Sequence, residues 1–251
     1  MKNYLAKISY DGAGFSGWQI QKEGRTVQQV LEKALSQIAK EEIKTTSAGR
    51  TDAGVHAIGQ YANFHFPIQM TEKQIQLALR VNLPNDILIT RVVEVVDDFN
   101  ARYDAKSRTY RYILAKGVTP FNRKYNSFIP KVKMKTKIVE KCLKYFLGRH
   151  DFTSFTKFNP DLNNYYCNIL NFKFEETTKD YRFVIQSNRF LHNMVRRIVG
   201  TIINISNTET NPNIIEELIA AKTPKNKLIT TAPPNGLYLI GVEYPKNELK
   251  K

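Results

Sequence analysis

Residues 49–57, GRTDAGVHA, form the densest polar cluster between predicted structured elements. Arg50 and Asp52 stand two apart, flanked by Gly49 and Gly54, which let a backbone turn tightly and a ligand come close. A cation beside a carboxylate favours its ionised form, the form a nucleophile needs. Read without chemistry, the same two residues are an Arg–Asp pair pinning a loop. A second cluster, NRFLHNMVRRIVG at 188–200, sets Phe190, Leu191, Met194, Val195, Ile198 and Val199 at helical spacing. Arg189, Asn193 and Arg196 share the opposite side, either as a solvated face or with an arginine aimed at a carboxylate or phosphate. The third is the strand expected at 109–115, with Tyr110, Tyr112 and Leu114 on one face. Such tyrosines are either core residues or a platform on which unstacked bases lie.

Other chemistries find little footing. His56, His65, His150 and His192, with two distant cysteines, show no metal-ligand spacing, and no H-x-E with P-C-x-x-C pattern occurs. No GxxxxGK[ST] phosphate loop is present. The expectation is therefore no metal and no cofactor, with His56 bracing the polar loop and His192 on a helix face.

The elements that must position these residues alternate. A strand is expected at 4–10, alternating in polarity, followed by the Gly-rich loop DGAGFSGW. Thr26 with Gln29 reads as a capping box opening a helix along Val27, Val30, Leu31, Ala34, Leu35 and Ile38. Strand 60–66, a shorter helix boxed by Thr71 and Gln74, and strand 87–96 complete the first half. The second half repeats the outline. After the tyrosine strand, Val139, Cys142, Leu143, Phe146 and Leu147 line a helix stopped by Gly148. A hairpin of 172–176 and 181–187, a helix over 190–205, a helix capped by Asn211 with Pro212 in its first turn, and a last strand at 236–244 follow. The reading is α+β: two similar halves, residues 1–104 and 105–251, with no Pro- or Ser-rich linker at the join, so the halves are expected to pack together, with one continuous sheet as one arrangement.

Composition adds a partner. Thirty-eight Lys and Arg against 23 Asp and Glu give a formal charge of +15. That excess favours a polyanion, because each neutralised phosphate releases counterions; a genome rich in AT would also raise the Lys, Asn and Ile content. The run KVKMKTK at 131–137 suits phosphate tracking without base reading. Two cysteines fit a reducing compartment. No apolar run approaches 18 residues and no signal peptide is apparent, so no membrane association and a cytoplasmic location are expected.

Taken in order, ISYDGAGFSGWQIQ, GRTVQ, SAGRTDAGVHAIGQ, LPNDI, FNARYDAKSRTYRYIL, HDFTSF, NRFLHNMVRRIVG and APPNGLYLIGVEYP closely resemble the bacterial tRNA pseudouridine synthase A family almost from end to end. The resemblance selects the functional reading at three places. It implies Asp52 as nucleophile, Arg196 as the arginine pairing with that carboxylate, and Tyr110 as the ring stacking on the target uracil. It implies Arg50 as the arginine that helps open the RNA helix and holds the flipped nucleotide's place. It further implies two halves sharing a central, mostly antiparallel sheet with helices on one side, an active cleft between the halves, and a homodimer. Neither metal nor cofactor is implied, and the substrate is uridine 38, 39 or 40 of the tRNA anticodon stem-loop. The alternatives are a non-catalytic RNA-binding protein on this scaffold or a synthase redirected to rRNA. One departure bears on that choice: where relatives carry an arginine-bearing segment, this chain has TKFNPDLNNYYCNI at 156–169. Uridine and pseudouridine differ only by exchange of an N1–C1′ for a C5–C1′ bond. Three routes suit one carboxylate near the ribose: attack on C1′, addition at C6, or deprotonation of the sugar toward a glycal.

Overall fold

The computed structural model describes residues 1–157, 159 and 162–245, which fall into two compact units. The first comprises Met1–Arg108 and the segment from Tyr238 onward; the second is Thr109–Leu237. The division thus differs from the expected 1–104 and 105–251. The terminal strand belongs with the first unit because it pairs there, in parallel, through His56↔Tyr238 and Ala57↔Leu239.

In the first unit β1 (Lys2–Tyr10), β3 (His56–Phe66) and β4 (Ile87–Glu94) run antiparallel in the order β4–β1–β3, with β2 (Thr46–Ser47) on β3 and β9 (Leu237–Glu243) beyond it. α1 (Val27–Ala39) opens at Thr26, whose side chain accepts from Gln29 N–H at 3.3 Å. α2 (Glu72–Asn82) opens with both halves of the Thr71–Gln74 box formed and packs on β4. The alternation expected in β1 fails at its start: Tyr4, Leu5 and Ala6 are all buried. As a central strand it is covered on both faces, with Leu5 against Val95, Phe99 and Ala101. That covering segment is tied down by buried amides: Asn3 Nδ2 and Asn63 Nδ2 both donate to Phe99 C=O, and Asn63 Oδ1 accepts from Ala101 N–H.

The second unit holds β5 (Ser107–Ala115, from Thr109 on), β6 (Gly148–Asp151), β7 (Tyr166–Glu176) and β8 (Asp180–Ser187) in the order β5–β8–β7–β6. β6, β7 and β8 are antiparallel. α3 (Thr136–Phe146) buries Val139, Cys142, Leu143 and Phe146 against β7. Leu147, expected on the same face, is instead the exposed cap, and Gly148 at φ +90° turns the chain into β6. α4 (Met194–Thr208) starts four residues later than periodicity suggests, because Asn193 sits in the left-handed region at φ 62° and breaks the helical path. Phe190 and His192 therefore precede the helix. α5 (Ile214–Ala220) is entered at Asn213; Asn211 instead folds a turn ahead of it, accepting from Asn213 N–H and Ile214 N–H. No helix is long and apolar enough to cross a membrane, and no group of three or more His, Cys, Asp or Glu suited to a metal occurs among the described residues.

Candidate active site

Asp52 is half-buried at the first position of a β-turn closed by Val55 N–H donating to its carbonyl at 3.2 Å. Gly54, the third residue, lies at φ +77°, where a side chain would be strained. The turn is fixed to the loop after β1 through main-chain groups. Trp18 N–H donates to Thr51 C=O at 3.0 Å and Gly54 N–H to Phe15 C=O at 3.2 Å. Contact is so close that a Cβ on Gly17 (φ +98°) would stand 2.7 Å from Thr51 O, and one on Gly12 2.0 Å from Val55 O. Thr51 Oγ1 lies 2.7 Å from the hydroxyl of Tyr10, whose pKa burial pushes well up. His56, buried, accepts from Gly12 N–H at Nδ1 (3.0 Å), as expected of a brace. Asp11 Oδ1 is 3.2 Å from the same nitrogen. Since Nδ1 is occupied as an acceptor, that approach is polar packing and no ion pair.

Across the loop from these ties, Gln60 Nε2 donates to Gly49 C=O at 2.7 Å. The preceding carbonyl, Ala48, receives both Nε and Nη2 of Arg108 at 3.0 and 2.8 Å. Arg108 is buried and also binds the carbonyls of Ala105 and Arg102. One planar fork thus gathers the start of the polar loop and the segment entering β5. Sequence reasoning missed Arg108, although it stands inside SRTYRY; a buried guanidinium serving carbonyls carries no signature beyond its neighbours. Arg50 itself is exposed, with desolvation and then the Arg102 charge lowering its pKa, and it remains a cation. Among the described residues it forms no ion pair with Asp52. The loop-pinning reading of that pair is therefore replaced by the main-chain ties and Arg108.

In the second unit Arg196, in the first turn of α4, is part-buried and not a solvated face. Its Nε donates to Ala232 C=O at 2.8 Å, while Ala232 N–H returns to Arg196 C=O at 3.0 Å. Nη1 donates to Asn193 Oδ1 at 2.9 Å. The segment 230–232 reaches the helix because of Gly200, where a Cβ would meet Thr230 O at 2.3 Å. Of the three polar residues expected together, Asn193 and Arg196 meet; Arg189 precedes the helix. Arg197, also missed, ties the helix start to Thr156 and Pro224 carbonyls at 3.2 and 2.8 Å.

Tyr110 is only 7% exposed and meets Phe190 edge-to-face with ring centroids 5.1 Å apart. Tyr112, on the same face, is core: it is 1% exposed and its hydroxyl donates to Pro233 C=O at 3.0 Å. The variant segment 156–169 is described in part; residues 158, 160 and 161 lie outside the described residues. Thr156 and Lys157 both bond to His192 C=O, holding the start of that segment to the approach to α4.

A family model described as tRNA pseudouridine synthase matches residues 6–104 and 142–245. The tRNA pseudouridine synthase A of Pseudothermotoga lettingae is 37% identical over 247 residues, covering 97% of this chain and all of that protein. The protein of the same name from Listeria monocytogenes is 38% identical over 248 residues, with the same coverage. Among solved structures, a Cbf5–Nop10–Gar1 complex aligns at a TM-score of 0.37 and 10% identity, over 97% of this chain and 59% of that one.

Proposed function

The chain belongs to the tRNA pseudouridine synthase family, and we propose that Asp52 is the carboxylate through which it isomerises uridine to pseudouridine in tRNA. The observation that carries the assignment is the loop: a half-buried carboxylate heads a glycine turn whose backbone is tied to Trp18, Phe15 and Gln60. Such fixing holds a reacting group near one geometry, which is worth rate because the ordering is done before substrate arrives. The reaction is an intramolecular transfer. It breaks N1–C1′, turns the uracil and forms C5–C1′; C5 gives up its proton and N1 takes one up, so atoms balance with no net redox change.

Arg196 is proposed as the partner of Asp52, favouring its anionic form. Tyr110 is proposed to stack on the target uracil, which must first leave the RNA stack at a cost of a few kcal/mol. Stacking returns about 1–3 kcal/mol of that. Arg50, an exposed cation two residues from the carboxylate, is proposed to occupy the place the flipped nucleotide leaves. The preferred uridines are positions 38, 39 and 40 of the anticodon stem-loop, and a homodimer extends the basic surface so that one subunit holds the tRNA body while the other acts. Serving three neighbouring positions calls for reading shape and backbone instead of one base sequence. The protein is expected in the cytoplasm, where tRNA is modified.

The test is mass spectrometry of unmodified tRNA after incubation with the pure protein, with cyanoethylation marking pseudouridine. New pseudouridine at 38–40 supports the reading. Pseudouridine confined to rRNA, with those positions untouched when the gene is deleted, would move the substrate. Tight RNA binding with no product would make the protein a non-catalytic binder.

A further inference from the structure

We infer that Asn193 is a positioning residue for this reaction: it aims the Arg196 guanidinium, and it is kept in a conformation that serves that purpose. The inference rests on the proposed role of Arg196.

Two observations meet at this residue. Its backbone lies at φ 62°, ψ 4°, in the left-handed region, which is costly for a residue with a Cβ, though asparagine tolerates it better than most. An ordinary helix start would use a Ser, Thr, Asp or Asn in extended conformation, with its side chain accepting from the second or third helical N–H. Asn193 does neither, and its side chain makes no capping bond. Its Oδ1 instead accepts from Arg196 Nη1 at 2.9 Å, while its carbonyl accepts from Arg197 N–H at 2.9 Å. The amide oxygen that a helix start would use on its own main chain is turned over to the arginine.

The geometry explains why one more tie is needed. Ala232 C=O holds Nε–H at the near end of a rigid planar group, and a single bond is a pivot about which that plane can still tilt. The bond from Asn193 is made at the far end of the group, on Nη1, and so sets the plane of the fork. A bidentate approach to a carboxylate depends on that plane. Asparagine suits the task because its oxygen is neutral: it orients the cation without competing for its charge, as a carboxylate there would.

The experiment compares Asn193→Gly, Asn193→Ala and Asn193→Asp with Arg196→Ala, measuring kcat and KM on full-length tRNA together with the thermal midpoint. Glycine accepts φ 62° freely, so Asn193→Gly removes the oxygen and keeps the backbone. It should lower kcat roughly tenfold, the scale of one charge-assisted hydrogen bond, with KM for tRNA within twofold. Asn193→Asp should lower kcat at least as far. In an Arg196→Lys background Asn193→Gly should cost no more than twofold, because its effect runs through the guanidinium. Wild-type kcat in Asn193→Gly, with Arg196→Ala impaired, overturns the inference. An equal loss in both backgrounds also overturns it, as a purely structural role would be additive. Should Arg196→Ala be fully active, it is the reading of Arg196 that fails. If Asn193→Ala does not fold, the glycine variant still decides.

Discussion

In the first unit Thr51 and Gly54 are tied to Trp18 and Phe15 through main-chain groups, whereas in the second Arg196 commits its own guanidinium donors to Ala232 and Asn193. The contrast follows from the side chains. Aspartate has two torsions, so fixing its backbone fixes its carboxylate closely. Arginine has four and loses far more freedom on being held, so its far end needs partners of its own. Accordingly, Gly12 and Gly17 of the first unit crowd the Asp52 turn itself, while Gly200 of the second crowds the segment that holds the arginine.

The largest effect expected is at Asp52. Asp52→Asn or Asp52→Ala should abolish pseudouridine formation while tRNA affinity, read by filter binding, stays within a few-fold. Substantial turnover by the alanine variant would remove the nucleophile from this loop.

Next come the glycines that test main-chain fixing. Gly17→Ala places a methyl 2.7 Å from Thr51 O at a φ of +98°. It should cost about 2–4 kcal/mol, combining left-handed strain with overpacking, and should cut kcat by displacing the Asp52 turn. A chemical melt and single-turnover kinetics check both. An unchanged kcat in a destabilised Gly17→Ala protein breaks the comparison, since the turn would then tolerate movement.

Arg196→Lys sharpens the other side. An ammonium cannot bond Ala232 and Asn193 and still present a fork, so rescue relative to Arg196→Ala should be poor. Full rescue would mean that charge alone matters. At Tyr110, binding should survive Tyr110→Phe and weaken by about 1–3 kcal/mol in Tyr110→Ala. A large loss of rate in the phenylalanine variant with unaltered binding would instead assign the hydroxyl to proton transfer at C5.

The smallest effect separates the units. Both cysteines, Cys142 and Cys167, belong to the second unit, and burial pushes each thiol up to about 12. With a raised folded pKa the thiol is neutral in both states below about pH 8. From about pH 9 the unfolded chain ionises first, so stability should decline between about 9 and 12. At pH 8 both should react with a disulfide reagent far more slowly than free thiol, and the rate should report opening of the second unit alone. Gly17→Ala should leave that rate unchanged; a marked acceleration would show that the units share their stability.

Much of this was legible from residue order. Most of the longer strands and helices followed from periodicity because they bury one face, whereas β2 and β6, two and four residues long, carry no such pattern; GRTDAGVH marked the turn of Asp52 because glycines must flank it. The exceptions have physical causes. The start of α4 was misplaced because Phe190 and Leu191 keep the apolar spacing of a helix they do not join; only the left-handed Asn193 breaks it. The double burial of β1 depended on a distant segment, 95–101, lying over it. Arg108 was hidden because its partners are carbonyls, which every residue has. The half boundaries missed the return of β9, since a parallel pairing leaves no turn to read.

That return has a consequence for how the protein is made. A ribosome releases β1, β3 and β4 early, but β9, which pairs with β3, leaves the exit tunnel only after all of the second unit. Throughout that interval the β3 side of the nascent sheet lacks its parallel neighbour, and an unpaired edge invites wrong pairing. The closure joins residues nearly two hundred positions apart, which is slow to find. Nascent chains stalled before residue 238 should therefore engage holdase chaperones through the first unit, although it was synthesised first.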